Sequence, residues 1–186
     1  MLLKEVNADN EFFRNLSLKT RLQLYLRHDH WIVINKYLRY LRLEEYYYNR
    51  QGIASKMLAY FWARKKNKLG NQLGFFINAN SLGPNATIYH HGSIIINGDA
   101  HIGANCCLHG MNCIGNKGDS SEAPIIGDNV DIGIGAVILG GVKIANGCKI
   151  GANAVVINSC LEEGAILVGV PAVVKHKQLD EEGESE

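Results

Sequence analysis

No run of eighteen apolar residues occurs anywhere in this chain, so no segment reads as a bilayer-spanning helix. The opening Met1-Leu2-Leu3-Lys4-Glu5 gives way to polar residues and does not read as a secretory signal. The five cysteines, Cys106, Cys107, Cys113, Cys148 and Cys160, are odd in number and include no Cys-x-x-Cys. Neither a disulfide framework nor a thiolate metal site is expected, and buried thiols in a reducing, cytoplasmic setting are. Net charge is nearly absent too, +1 at pH 7, but that balance hides two opposed halves. Residues 1–75 hold fourteen Lys or Arg against six Asp or Glu, whereas the remainder holds five against twelve. Part of that acid lies in residues 176–186, a tail expected to be disordered because Asp180 to Glu186 offers nothing apolar to bury.

What the chain does have is a period of six. Aliphatic anchors fall at Ile102, Leu108 and Ile114, then at Ile126, Ile132, Ile138, Ile144, Ile150 and Val156. Small or branched residues recur four places later, among them Cys106, Val130, Ala136, Val142, Cys148, Ala154 and Cys160. A helix needs a period near 3.6 and an amphipathic strand a period of 2, so neither accounts for six. Hexads are the mark of a parallel β-helix, in which three short faces close a triangular coil around a narrow aliphatic core.

Residues 1–74 lack the hexad and read as helices, with apolar positions at three- and four-residue steps over Leu16–Leu26, Trp31–Leu43 and Ile53–Trp62. Arg64-Lys65-Lys66-Asn67-Lys68 suits a solvated helix end, and membrane contact is the weaker reading of that cluster. Residues 75–175 form the β-helix of about five coils. Two places break its period. Ile96 lies eight residues after Ile88, so the Tyr89-His90-His91-Gly92-Ser93 stretch carries two extra residues. Between Gly115 and Ile125 the polar run from Asn116 to Glu122 must leave the wall as a loop. A scaffold has no need to break its own register, so these irregularities are where a site belongs.

Of the seven histidines only His90 and His91 sit on the broken coil, and His109 follows about one coil later. Neutral imidazole is matched to general-base work near pH 7. His28, His30, His101 and His176 read as solvated surface groups. A three-histidine zinc site is the competing use, but no spacing supports it, and no metal is expected.

The repeats, with Ile126-Gly127-Asp128-Asn129-Val130, the ending Gly169-Val170-Pro171-Ala172 and the His90 segment, resemble the left-handed β-helix acyltransferases. Within them the likeness is greatest to serine acetyltransferases and related enzymes of polysaccharide gene clusters. The resemblance implies acetyl-CoA as co-substrate, a homotrimer, and His90 as the base that deprotonates an acceptor hydroxyl. It also implies CoA contacts near Gly115, Asn116, Ile134 and Ala152, with Lys175 and Lys177 beside the CoA phosphates.

The acceptor half departs from the serine enzymes. The aspartate that precedes their histidine is Tyr89 here, and their Arg-His before a loop proline is Glu122-Ala123. Glu122 would repel a carboxylate. The aspartate that orients their histidine falls at Phe76, leaving the orienting group unassigned. Sugar hydroxyls need no cation, and Asn80, Tyr89, His91, His109, Asp119 and Glu122 are suitable hydrogen-bonding candidates. The expectation is O-acetylation of a saccharide hydroxyl in a surface polysaccharide or its precursor, with serine O-acetylation as the alternative. No nucleic-acid partner is expected.

Overall fold

A computed structural model describes residues 9–118 and 120–175. The opening Met1 to Glu5, Asp119, His176, Lys177 and the acidic tail lie outside the described residues. Among the described residues four helices come first: α1 (Glu11–Arg14), α2 (Leu18–Leu26), α3 (His30–Tyr48) and α4 (Ile53–Leu73). The third and fourth run past the expected Leu43 and Trp62. Gly70 lets the last turn of α4 pack closely on the chain leaving it, because a Cβ there would fall 2.5 Å from the Phe75 carbonyl oxygen. Lys66 is a correction to the solvated-end reading: it is buried, paired with Glu44 at 2.8 Å, and donates to the Ile77 carbonyl at 2.8 Å.

Fourteen strands follow on three faces. The first face stacks β1 (Phe75–Ile77), β3 (Ile94–Ile96), β6 (Cys113–Gly115), β9 (Val137–Leu139) and β12 (Val155–Val156). The second stacks β4 (His101–Ile102), β7 (Ile125–Ile126) and β10 (Lys143–Ile144). The third stacks β2 (Thr87–Ile88), β5 (Cys107–Leu108), β8 (Asp131–Ile132), β11 (Lys149–Ile150) and β13 (Ile166–Gly169), and the antiparallel β14 (Ala172–Val174) closes it. Every hexad anchor from Ile102 to Val156 is buried. The five coils share one continuous core with Ile34, Tyr37, Leu38 and Leu41 of α3. Sharp corners favour left-handed backbone, and Asn85, Asn105 and Asn129 supply it at φ near 58° while their amides ladder from coil to coil at 3.1 and 3.2 Å.

A stack of parallel strands has an open first edge whose backbone groups need partners. Here side chains take the place of a missing coil. Asp9 accepts from the Ala86 N–H at 2.9 Å, Asn10 accepts from the Ile88 N–H at 2.9 Å, and the Asn10 N–H donates to the Ala86 carbonyl. Arg42 donates to the carbonyls of Leu82 and Gly83 at 2.7 and 2.5 Å.

Cys106, Cys148 and Cys160 occupy inward positions and are buried. Burial pushes the Cys106 thiol up from 9.0 to about 11. A raised value means that the folded chain holds this proton when the unfolded chain has released it. That contribution to stability is whole below the unfolded thiol's value and is lost as pH rises from there through about 11. Between pH 8 and 10.5, urea unfolding should show a loss of roughly 2 kcal/mol in the native protein that is missing from Cys106→Ala. Parallel pH slopes in the two proteins would count against this.

Candidate active site

The corner between β2 and β3 is where the register slips. Ile88 pairs with Leu108, twenty residues on, whereas Ile132 pairs with Ile150, eighteen on. The two extra residues put His90 and His91 on the corner as exposed side chains. His30 packs over them, its ring stacked on His90 at 5.6 Å and 27° and tilted against His91 at 5.7 Å. Its Nε2 donates to the Tyr89 carbonyl at 3.2 Å, which fixes the tautomer because a carbonyl only accepts. Its Nδ1 lies 3.4 Å from Asp29, whose carboxylate caps α3 by accepting from the Trp31 N–H. Trp31 stands edge-on to Tyr89 at 6.0 Å. His30 therefore corrects the solvated reading: the start of α3 is docked on the broken coil.

The third face continues the cluster. The Tyr89 ring lies 4.7 Å from that of His109, and His109 Nε2 donates to Asp131 Oδ1 at 2.7 Å. Burial raises the Tyr89 phenol, with Cys107 and Asp131 adding to it, and burial followed by Asp131 raises the Cys107 thiol. The wall beside His90 thus combines neutral donors with one half-exposed carboxylate. His109 sits under Tyr89 rather than under His90, because the slip makes this step twenty. Gly110 lies below His90, where a Cβ would come within 3.4 Å of the His90 carbonyl.

The remaining sequence candidates are divided between two corners of the coil. Ile134 and Ala152 share the His90 corner on later coils, both exposed, with the Asn153 N–H donating to the Ile134 carbonyl at 2.8 Å. Gly115 and Asn116 sit at the following corner, at the end of the first face. There the Gly140 N–H donates to the Gly115 carbonyl at 2.9 Å. The polar loop folds over this corner, with Glu122 packed on Gly141 so closely that a Cβ there would fall 2.8 Å from its Oε2. Asn80 is at the same corner and exchanges two amide hydrogen bonds with Asn49, at 2.9 and 3.0 Å. Lys175 follows β14, exposed. One chain therefore does not bring Gly115, Asn116, Asn80 and Glu122 to His90.

His30, Trp31 and Asp131 were not foreseen as site residues. Asp131 had a readable sign, since the residue before an inward anchor points outward. Asp29 announces a helix start, but nothing local says where that start docks.

Residues 123–158 match the bacterial transferase hexapeptide family (six repeats). A serine acetyltransferase of Mycobacterium tuberculosis is 35% identical over 95 residues, 50% of this chain and 41% of that one. Escherichia coli WcaB, named for acetyl transfer in colanic acid biosynthesis, is 35% identical over 99 residues, 52% of this chain and 60% of that one. The chain therefore spans between two and three fifths of the length of these relatives. Among solved structures, a serine acetyltransferase of Neisseria gonorrhoeae in complex with serine superposes with a TM-score of 0.66 at 27% identity, covering 92% of this chain and 68% of that one. The six-residue period, the five stacked coils and these likenesses agree: the chain carries the hexapeptide repeat over residues 123–158, has the left-handed parallel β-helix fold, and is similar to serine acetyltransferases.

Proposed function

We propose that the chain is an acetyl-CoA-dependent O-acetyltransferase in which His90 is the general base and a saccharide hydroxyl the acceptor. The observation that carries this is the exposed His90 imidazole, held by His30 on the one corner where the wall gains two residues. His90 takes the proton as the acceptor oxygen forms its bond to the thioester carbonyl carbon. The C–S bond then breaks, the ester leaves on the acceptor, and the proton passes to the departing CoA sulfur. His30 meets His90 ring on ring rather than through a hydrogen bond, so it positions the base and does not relay that proton. Its stacked ring fills the space into which His90 would otherwise rotate.

The acceptor wall favours a sugar over an amino acid. Asp131 has lone pairs left after receiving His109, and Tyr89 and Trp31 offer ring faces and edges to a pyranoside. Asp131→Asn and His109→Gln should each raise the acceptor KM about tenfold, the loss of one or two hydrogen bonds, with the KM for acetyl-CoA unmoved. Equal effects on both substrates would place the pair elsewhere than in the acceptor site. The CoA candidates lie at two corners of the β-helix and on successive coils, so a second copy closing the groove supports the homotrimer of this reading. Mass photometry should find three chains.

The deciding assay is CoA release from acetyl-CoA with L-serine and with a panel of saccharides offered separately. Release with a saccharide alone is expected. Enzyme-like release with L-serine alone would replace this reading with serine O-acetylation.

A further inference from the structure

Away from His90 the four helices enclose an open groove of about 1070 Å³. Its floor is apolar and aromatic, with Phe13, Ile32, Leu43 and Phe61 beside the Tyr40 and Trp62 rings, which lie 5.4 Å apart. Its rim is cationic, lined by Arg14, Arg21, Lys36, Arg39 and Lys65. The single acid that lines it, Asp9, is already held by Arg42 through bonds of 2.7 and 3.0 Å. Among the described residues none of the five cations is in an ion pair, and the Arg21 Nε is buried without an acceptor. A buried guanidinium N–H with no acceptor is costly, and an anion would satisfy it. An apolar trough edged by unneutralised cations matches a molecule with a long hydrocarbon chain and a phosphate head.

The groove and the site share one helix. Trp31 at the start of α3 touches Tyr89, whereas Lys36 and Arg39 of the same helix stand on the groove rim. At the helical rise those two side chains lie roughly 8–12 Å along the axis from Trp31. We infer that the groove binds the lipid diphosphate of a lipid-linked saccharide, with the isoprenoid chain in the trough, the diphosphate on the rim and the sugar presented to His90. This rests on the saccharide reading above for its acceptor end, but the lipid-phosphate site stands on the groove alone.

Isothermal titration with farnesyl diphosphate, below its micelle concentration, tests the groove without acetyl transfer. Binding should be at least tenfold tighter than that of inorganic pyrophosphate or of farnesol, since each lacks one half of the match. The double variant Lys36→Glu/Arg39→Glu reverses two rim charges outside the core. It should weaken farnesyl diphosphate at least tenfold, with an unchanged circular dichroism melt and turnover of a water-soluble saccharide within twofold of the parent. Equal affinity for pyrophosphate would reduce the groove to a simple anion site and overturn the inference. So would an affinity indifferent to the charge reversal, or adsorption to phosphatidylglycerol vesicles with no binding of farnesyl diphosphate. A chain that binds farnesyl diphosphate but acetylates no saccharide keeps the groove and loses the function. A chain that acetylates saccharides but binds no farnesyl diphosphate does the reverse.

Discussion

His90→Ala should lower kcat for acetyl transfer by roughly 10² to 10⁴-fold, the usual contribution of a positioned base acting on a poor nucleophile. The protein should stay folded, because His90 is an exposed side chain on a corner and removes nothing from the core. Its melting curve is therefore the control, and CoA release under saturating acetyl-CoA is the measurement. His91→Ala should stay within a few-fold of the parent. His30→Ala should fall between the two, since it removes the stacked ring and the bond to the Tyr89 carbonyl but no reacting group. A His30→Phe variant separates the two losses: if filling the space is what counts, phenylalanine restores most of the rate. Near-parent turnover in His90→Ala would remove the histidine from the chemistry altogether, whatever His30→Ala did.

The coils were legible because one residue type in one spacing decides them. Ile102, Leu108 and Ile114 each sit one face further round, and the six-residue step that produces this is visible without any long-range information. The slip at His90 was legible for the same reason, as a count of eight where six was due. The loop at Asn116–Glu122 was legible from polarity. What could not be read was docking. Asp29 and His30 announce a helix start, but a contact across 59 residues between His30 and Tyr89 depends on how α3 lies on the first coil. The same limit hid Lys66, whose burial follows from Glu44 on one side and the Ile77 carbonyl on the other. It also left unread that Gly115 and Asn116 stand a whole face away from Ile134 and Ala152.

Removing Arg42 should have the largest effect on stability, about 3–5 kcal/mol for Arg42→Ala. Its guanidinium is almost fully buried and forms bonds of 2.7 and 3.0 Å to Asp9, 2.8 Å to Glu45, and two to the carbonyls of Leu82 and Gly83. Burial alone would favour the neutral form, but Asp9 and Glu45 outweigh it and hold the group charged. Alanine would leave two poorly hydrated carboxylates facing one another and two carbonyls of the first coil without donors. Arg42→Lys should recover only part of the loss, because a single ammonium cannot span Asp9, Glu45 and two carbonyls at once. The consequence reaches the site. Arg42 and His30 belong to the same helix, so a chain that frees α3 from the first coil also takes His30 off His90. Urea unfolding should show a lower midpoint and a shallower apparent slope. Turnover should fall at temperatures where most molecules are still folded, as the docked helix loosens before the coils do. A loss below about 1 kcal/mol would mean that water replaces the guanidinium at the first edge, and that the aliphatic contacts of Ile34, Tyr37, Leu38 and Leu41 alone hold α3 in place.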